Sequence, residues 1–302
     1  MTILKIALDW TPNINHIGIF VAKAMGFYKE HSIDLEIINP QDDQYQLTPG
    51  KKLELGIADF AIAPFETVIS LNNKAELVAS KAVFAILQED ISSIVTLKTS
   101  KIDRPQLLDG KIYASYKARY EDDIVKEMVK NDGGEGNFTL AYPEKLGIWN
   151  TLLEGKADAT WIFDNWEGIE AETKQLSLNK FLLSDFGIPY GYSPVIIARN
   201  SDLKAKKTEY ANFIKATQQG YLYAVANQIA AIDILSLHLT KEDNNKMDLT
   251  KSMAFTAPYF GNETNCGMMK TERVLCFLNW LVNHELEGKQ ILSQTLFTNE
   301  LL

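Results

Sequence analysis

Apolar runs of strand length alternate along the chain with stretches whose apolar residues recur at helical spacing. Residues 3–8 (Ile-Leu-Lys-Ile-Ala-Leu) have the pattern of a core strand. Ile17, Phe20, Val21, Ala24 and Met25 then mark one face of a helix over about 16–30. Residues 33–38 alternate as a strand, a second helix is expected around 44–55, and Gly56-Ile57-Ala58-Asp59 leads into a short strand. The same order recurs. A strand is expected at 111–115 and a helix at about 120–131, with Ile124, Val125, Met128 and Val129 on one face. Asn131-Asp132-Gly133-Gly134 stops that helix. A strand near 138–140, a helix near 146–153 and Gly155-Lys156-Ala157-Asp158 complete the second set.

The shared Gly-x-Ala-Asp tetrad returns 99 residues later. In each copy a helix ends, glycine takes the left-handed cap, and a strand begins. Two β-α-β-α-β units of this kind imply two parallel α/β sheets flanked by helices, hence two similar lobes. The strand-like run at 92–96 (Ser-Ser-Ile-Val-Thr) and the apolar run at 194–198 are expected to pair and to connect the lobes. The expected division is 1–97 plus 194–302 for the first lobe and 98–193 for the second. Residues 200–302 read as largely helical. One stripe runs through Ala211, Phe213, Ile214, Thr217, Tyr221 and Val225, another through Val274, Phe277, Leu278 and Leu281.

Composition narrows the function classes. The 302 residues are 46% hydrophobic, which supplies a sizeable core, and the formal net charge of −9 gives no basic footprint for nucleic acid or an anionic membrane surface. Cys266 and Cys276 are too few for a disulfide framework and are expected to be buried small hydrophobes. No apolar run has the length of a membrane span. A strand stands where a secretory leader would, so the chain reads as cytoplasmic as written, or as periplasmic or extracellular if a leader has been removed. His16, His31, His238 and His284 are scattered without metal-ligand spacing, and no cofactor is expected. Dinucleotide, P-loop and Gly-x-Ser-x-Gly signatures are absent.

In open parallel α/β sheets ligands bind beyond the carboxyl ends of the strands. That rule selects the loops starting at Asp9, Pro64, Tyr116 and Asp164, with Gly187–Ser193 as a fifth segment. They carry aromatic residues (Trp10, Phe65, Tyr116, Trp166, Tyr190, Tyr192), carboxylates (Asp9, Glu66, Asp164) and hydrogen-bonding groups (Asn13, His16). Flat walls with convergent acids suit a planar, nitrogen-rich heterocycle, and a glycan is the next choice. Each residue also has a plainer reading. Asp9 and Glu66 can cap the turns that follow them, His16 can be a core histidine, and Trp161 is assigned to the core. Lys117 and Arg119 are candidates for phosphate, but Glu121, Asp122 and Asp123 follow at once and oppose an anion.

The run Asp9-Trp10-Thr11-Pro12-Asn13-Ile14-Asn15-His16-Ile17-Gly18-Ile19-Phe20-Val21-Ala22, with Gly26-Phe27-Tyr28-Lys29-Glu30, resembles the thiamine-pyrimidine branch of the periplasmic-binding-protein-like proteins. That branch contains binding proteins for formylaminopyrimidine and the synthase of the thiamine pyrimidine. The resemblance implies an α/β, type II periplasmic-binding-protein-like fold of two lobes with a ligand cleft between them. It implies a small-molecule binding protein for an aminopyrimidine thiamine precursor, with an ABC permease as partner if the chain is exported. The alternative is an enzyme of thiamine-pyrimidine synthesis. The resemblance implies for such an enzyme a lysine holding pyridoxal phosphate and a histidine four residues on, in the segment matching 57–70, and a cysteine cluster before the returning strand. Here no lysine lies between Lys52 and Lys74, no histidine between His31 and His238, and 187–193 holds no cysteine.

Overall fold

The structure is a computed structural model that describes residues 1–74, 78–143 and 147–302. The expected start of one helix at residue 146 lies outside the described residues. The chain divides into two compact units: 1–90, 191–275 and 289–302 form the first, 91–190 and 276–288 the second.

The first unit is built on a five-stranded sheet of β1 (Thr2–Ala7), β2 (Ile33–Ile38), β3 (Phe60–Ala63), β4 (Ser80–Ala85) and β10 (Val195–Arg199), in the order β2-β1-β3-β10-β4. The second unit uses β5 (Ser92–Leu97), β6 (Ile112–Ala114), β7 (Thr139–Ala141), β8 (Ala159–Phe163) and β9 (Leu178–Phe181), in the order β7-β6-β8-β5-β9. The two orders correspond strand for strand. In each sheet a three-strand parallel half is extended by an antiparallel strand, β10 on β3 and β5 on β8.

Residues 92–96 and 194–198 therefore do not pair with each other, contrary to the expectation from sequence. Each is the fourth strand of a different sheet. Both are buried because each is sandwiched between two neighbours, and β5 places 91–97 with the second unit rather than the first.

The repeated tetrad acts as a clasp. After α3 (Pro49–Glu54), Gly56 has φ +72° and its N–H donates to Leu53 O, while Ile57 N–H and Ala58 N–H donate to Lys52 O. Asp59 then pairs with the first strand twice: its N–H donates to Lys5 O (2.9 Å) and its carboxylate accepts from Lys5 N–H (2.9 Å). The second copy repeats each step. Gly155 has φ +67° and bonds Leu152 O, and Lys156 and Ala157 donate to Thr151 O. Asp158 exchanges the same two bonds with Ile112, at 2.7 and 2.9 Å. The left-handed glycine lets the helix end in a Schellman turn, and the aspartate sets the register of the third strand on the first.

Helices pack on these sheets. In the first unit they are α1 (Ile17–Ala24), α2 (Phe27–Glu30), α3, α4 (Phe65–Asn72), and then α8 (Asn200–Ala205), α9 (Lys207–Ala226), α10 (Gln228–Ser236), α11 (Lys241–Lys246) and α12 (Leu249–Thr256). In the second they are α5 (Glu121–Asn131), α6 (Ile148–Leu153) and α7 (Ile169–Thr173). Helix α13 (Thr271–Asn283) contains the passage from the first unit to the second. The single helix expected over 16–30 is broken at Gly26, whose φ of +83° ends one helix and starts the next. The helix expected from 44 starts only at Pro49, capped by the Thr48 hydroxyl, because a residue before proline is pushed to extended geometry. Cys266 is buried, but Cys276 is exposed on α13, against expectation; Phe277 and Leu278 beside it take the buried face.

Two glycines let α1 and α9 approach. A Cβ on Gly220 would lie 2.0 Å from Gly18 O, and one on Gly18 would strike the Tyr221 ring at 2.3 Å. Phe60, Phe213 and Tyr28 stack beneath this crossing, with centroids 4.0 and 5.6 Å apart. In the second unit Val95, Trp149, Leu152 and Ile162 form the core. No described helix is long and apolar enough to cross a membrane.

Two substitutions test this reading. Asp158→Ala strips Ile112 N–H of its partner and is expected to cost about 1–3 kcal/mol in urea unfolding; an unchanged midpoint removes the clasp from the account. Gly220→Ala drives a methyl into backbone and is expected to cost about 3 kcal/mol or more; wild-type stability would show that the helices separate freely.

Candidate functional site

In the first unit the carboxyl ends of β1 and β3 carry the expected loops. Beyond β1 the chain turns at Asp9-Trp10-Thr11-Pro12-Asn13 into a 3-10 turn, Ile14–His16. Asn13 caps it: Oδ1 accepts from Asn15 N–H (2.9 Å) and Nδ2 donates to Thr11 O (3.1 Å). The His16 ring is fully buried. Its Nδ1 accepts from Asn13 N–H (3.3 Å), which leaves Nε2 as the protonated nitrogen, donating to Asp9 Oδ1 at 2.8 Å. The histidine thus fixes the aspartate, and Asp9 Oδ2 has no hydrogen bond among the described residues. Asn15 O accepts from Tyr221 on α9 (2.6 Å), so the close helix crossing holds this loop.

Trp10 is 38% exposed and lies 5.9 Å from Tyr45, itself 49% exposed. Tyr45 was not anticipated. It follows the 3-10 turn Pro40–Asp43 after β2, so the rule that selected the loops after β1 and β3 selects this one equally. Beyond β3, Phe65 is buried, and its N–H donates to Tyr192 O (3.1 Å). Glu66 is buried in the first turn of α4, where the helix dipole favours a carboxylate. Tyr192 is buried too. Its hydroxyl accepts from Lys270 N–H (2.9 Å), and the Arg273 guanidinium lies 4.4 Å from its ring centre. The structure therefore brings Asp9, Trp10 and His16 together and uses Asn13, Phe65 and Tyr192 as internal supports.

In the second unit most of the expected residues are supports. Asp164 accepts from Lys180 Nζ (2.7 Å) and from the Ser93 hydroxyl (3.3 Å). It opens a π-helical turn, Asp164–Gly168, in which Trp166 is buried. Tyr116 is half-buried against the core. Tyr190 is half-buried between Trp161 (5.2 Å) and Phe277 (5.6 Å). The 116–118 loop is tied to the buried Glu121 carboxylate, which accepts from Tyr113 Oη (2.7 Å), Tyr116 N–H (2.9 Å) and Ala118 N–H (3.1 Å). Arg119 pairs with Glu287, and Lys117 lies 4.5 Å from the centre of the Tyr142 ring. Both cations that had been candidates for phosphate thus have partners within the unit.

The first unit offers a partly exposed, oriented carboxylate beside two exposed aromatic rings, suited to a flat group with N–H donors. Among the described residues no group of three His, Cys, Asp or Glu is placed to hold a metal ion.

A family model described as NMT1/THI5 like matches residues 13–231. The formylaminopyrimidine-binding protein of Halalkalibacterium halodurans is 25% identical over 255 residues, 83% of this chain and 74% of that protein. The 4-amino-5-hydroxymethyl-2-methylpyrimidine phosphate synthase THI12 of Saccharomyces cerevisiae is 24% identical over 239 residues, 74% of this chain and 67% of that one. Among solved structures, the periplasmic nitrate-binding protein NrtA of Synechocystis PCC 6803 superposes with a TM-score of 0.71 at 11% identity, covering 100% of this chain and 87% of that one. The fold is that of the periplasmic binding proteins, with two α/β lobes.

Glu121 provides a pH test of the loop. Burial, the largest influence, raises its carboxyl above the ordinary 4.5 despite the donors around it. The folded chain then holds a proton that the unfolded chain has released. This group's stabilisation is full below about 4.5 and is lost as pH rises through the folded value. Glu121→Gln is expected to flatten that decline in urea midpoints measured from pH 4 to about 7; an unaltered slope would assign the pH dependence elsewhere.

Proposed function

The chain belongs to the NMT1/THI5-like family, and on that premise we propose that it is a binding protein for an aminopyrimidine thiamine precursor, acting in uptake or salvage. In this reading it serves an ABC-type permease. The observation that carries the proposal is the exposed Trp10–Tyr45 pair beside an Asp9 carboxylate held by buried His16. The rings stack on the pyrimidine, Asp9 accepts from its amino group or ring N–H, and Glu66 supplies a second carboxylate from the adjacent strand end. Asn13 and His16 hold the loop behind the ligand.

Identity to the synthases is nearly equal to that of the binding protein and favours a second reading, an enzyme of thiamine-pyrimidine synthesis. The residues present do not fit its aldehyde cofactor. The segment from β3 through α4 contains no lysine, and it places the Glu66 carboxylate at the helix start, where a phosphate would be repelled. The flanking lysines are also engaged: Lys52 with Asp43 at 3.0 Å, and Lys74 with Glu54. No catalytic step is assigned.

A thermal-shift series with hydroxymethyl- and formylamino-pyrimidines, thiamine and pyridoxal phosphate separates the readings. An unphosphorylated pyrimidine at 100 times its Kd is expected to stabilise by about 2.7 kcal/mol, a rise of at least about 2–4 °C. Trp10→Ala and Tyr45→Ala should each abolish most of the rise. Asp9→Asn and Glu66→Gln should each weaken binding by about 1.5–3 kcal/mol. A shift with pyridoxal phosphate and its Schiff-base absorbance would favour the enzyme; wild-type affinity in the Trp10 and Tyr45 variants would move the site away from this loop.

A further inference from the structure

The first unit has a second concave site at the opposite end of its sheet. The loops described above lie where β3 ends, at the Ala63–Val195 pairing; the other end is marked by Arg199 opposite Ser80. There a cavity of about 480 Å³ is lined by Lys81, Lys204 and Lys207, with Leu203 and Leu301 as apolar surface and Glu300 as the acidic member. That volume suits a small molecule.

The charges are unusual for this chain. In the run 199–207 two cations are neutralised: Arg199 by Asp202 at 2.5 Å, and Lys206 by Asp59 at 2.9 Å. The ammonium groups of Lys81, Lys204 and Lys207 have no ion pair or hydrogen bond among the described residues. Three lysines against one glutamate leave an excess of two positive charges in a cavity, on a chain whose formal net charge is −9. Asn200, on the same wall, has a buried Oδ1 with no hydrogen-bond partner among the described residues.

We propose that this cavity binds a small phosphate monoester. The dianionic phosphate matches the excess charge and takes charge-assisted hydrogen bonds from the lysines. The ester's organic part covers Leu203 and Leu301, and a hydroxyl on it supplies the donor that Asn200 lacks. An extended polyanion fits poorly, because the chain's formal net charge of −9 opposes it beyond the cavity's local excess. This site is separate from the Trp10 loop and does not rest on the aminopyrimidine reading.

The test uses the full chain, phenyl phosphate and inorganic phosphate as probes, and titration calorimetry at low salt. Phenyl phosphate is expected to bind once per chain, more tightly than inorganic phosphate. The variant carrying Lys81→Gln, Lys204→Gln and Lys207→Gln together is expected to weaken it by about tenfold or more. Its unfolding midpoint should be unchanged, because none of the three lysines is paired. Trp10→Ala should leave phenyl phosphate binding as it was. Absence of saturable binding at millimolar probe, or equal affinity in the lysine variant, overturns the proposal. So does loss of binding in Trp10→Ala alone, which would assign the phosphate to the other site.

Discussion

The aspartate that closes each Gly-x-Ala-Asp tetrad sets the geometry on which both units depend. Asp59 and Asp158 each form two hydrogen bonds with the first strand of their sheet, one through the backbone and one through the carboxylate. A parallel strand has no hairpin to set its register, so some local device must do so. Here the left-handed glycine delivers the chain and the aspartate locks it. The next pairs, Ile6 with Phe60 and Tyr113 with Ala159, then follow in step. Every loop beyond the carboxyl ends inherits its position from that register.

The loops differ in how they use it. In the first unit a chain of contacts runs from the α1–α9 crossing through Tyr221 and Asn15 to the turn that presents Asp9 and Trp10. Tight packing at two glycines places a carboxylate several residues away. In the second unit the corresponding carboxylates face inward. Glu121 gathers backbone donors and Asp164 gathers Lys180 and Ser93. The carboxylate after the first strand thus stays partly exposed in the first unit, as Asp9, and braces the loop in the second, as Glu121. Partner supply decides between these roles: a nearby cation or a row of free N–H groups draws the carboxylate in.

Much of this was legible in the chain itself. Period-2 and period-3.6 apolar patterns located the strands and helices, and the repeated tetrad revealed the duplication. Two kinds of feature were not legible. Whether 92–96 and 194–198 pair together or join separate sheets depends on which strand edges stand open, and both arrangements bury the same residues. Aromatic residues of the selected loops were also read alike from sequence, yet Phe65, Trp166 and Tyr192 fill the interior while Trp10 remains exposed. An aromatic side chain has the same composition value in a wall or in a core.

The sequence by itself determined the α/β class, the twofold plan, the glycine–aspartate junctions and the family resemblance, because these rest on local spacing and backbone preference. Only the tertiary structure decided that His16 serves Asp9, that Tyr45 joins Trp10, and that Lys81 meets Lys204 and Lys207. Those meetings bring together residues from separate elements, and their distances follow from sheet order and helix packing rather than from any spacing along the chain.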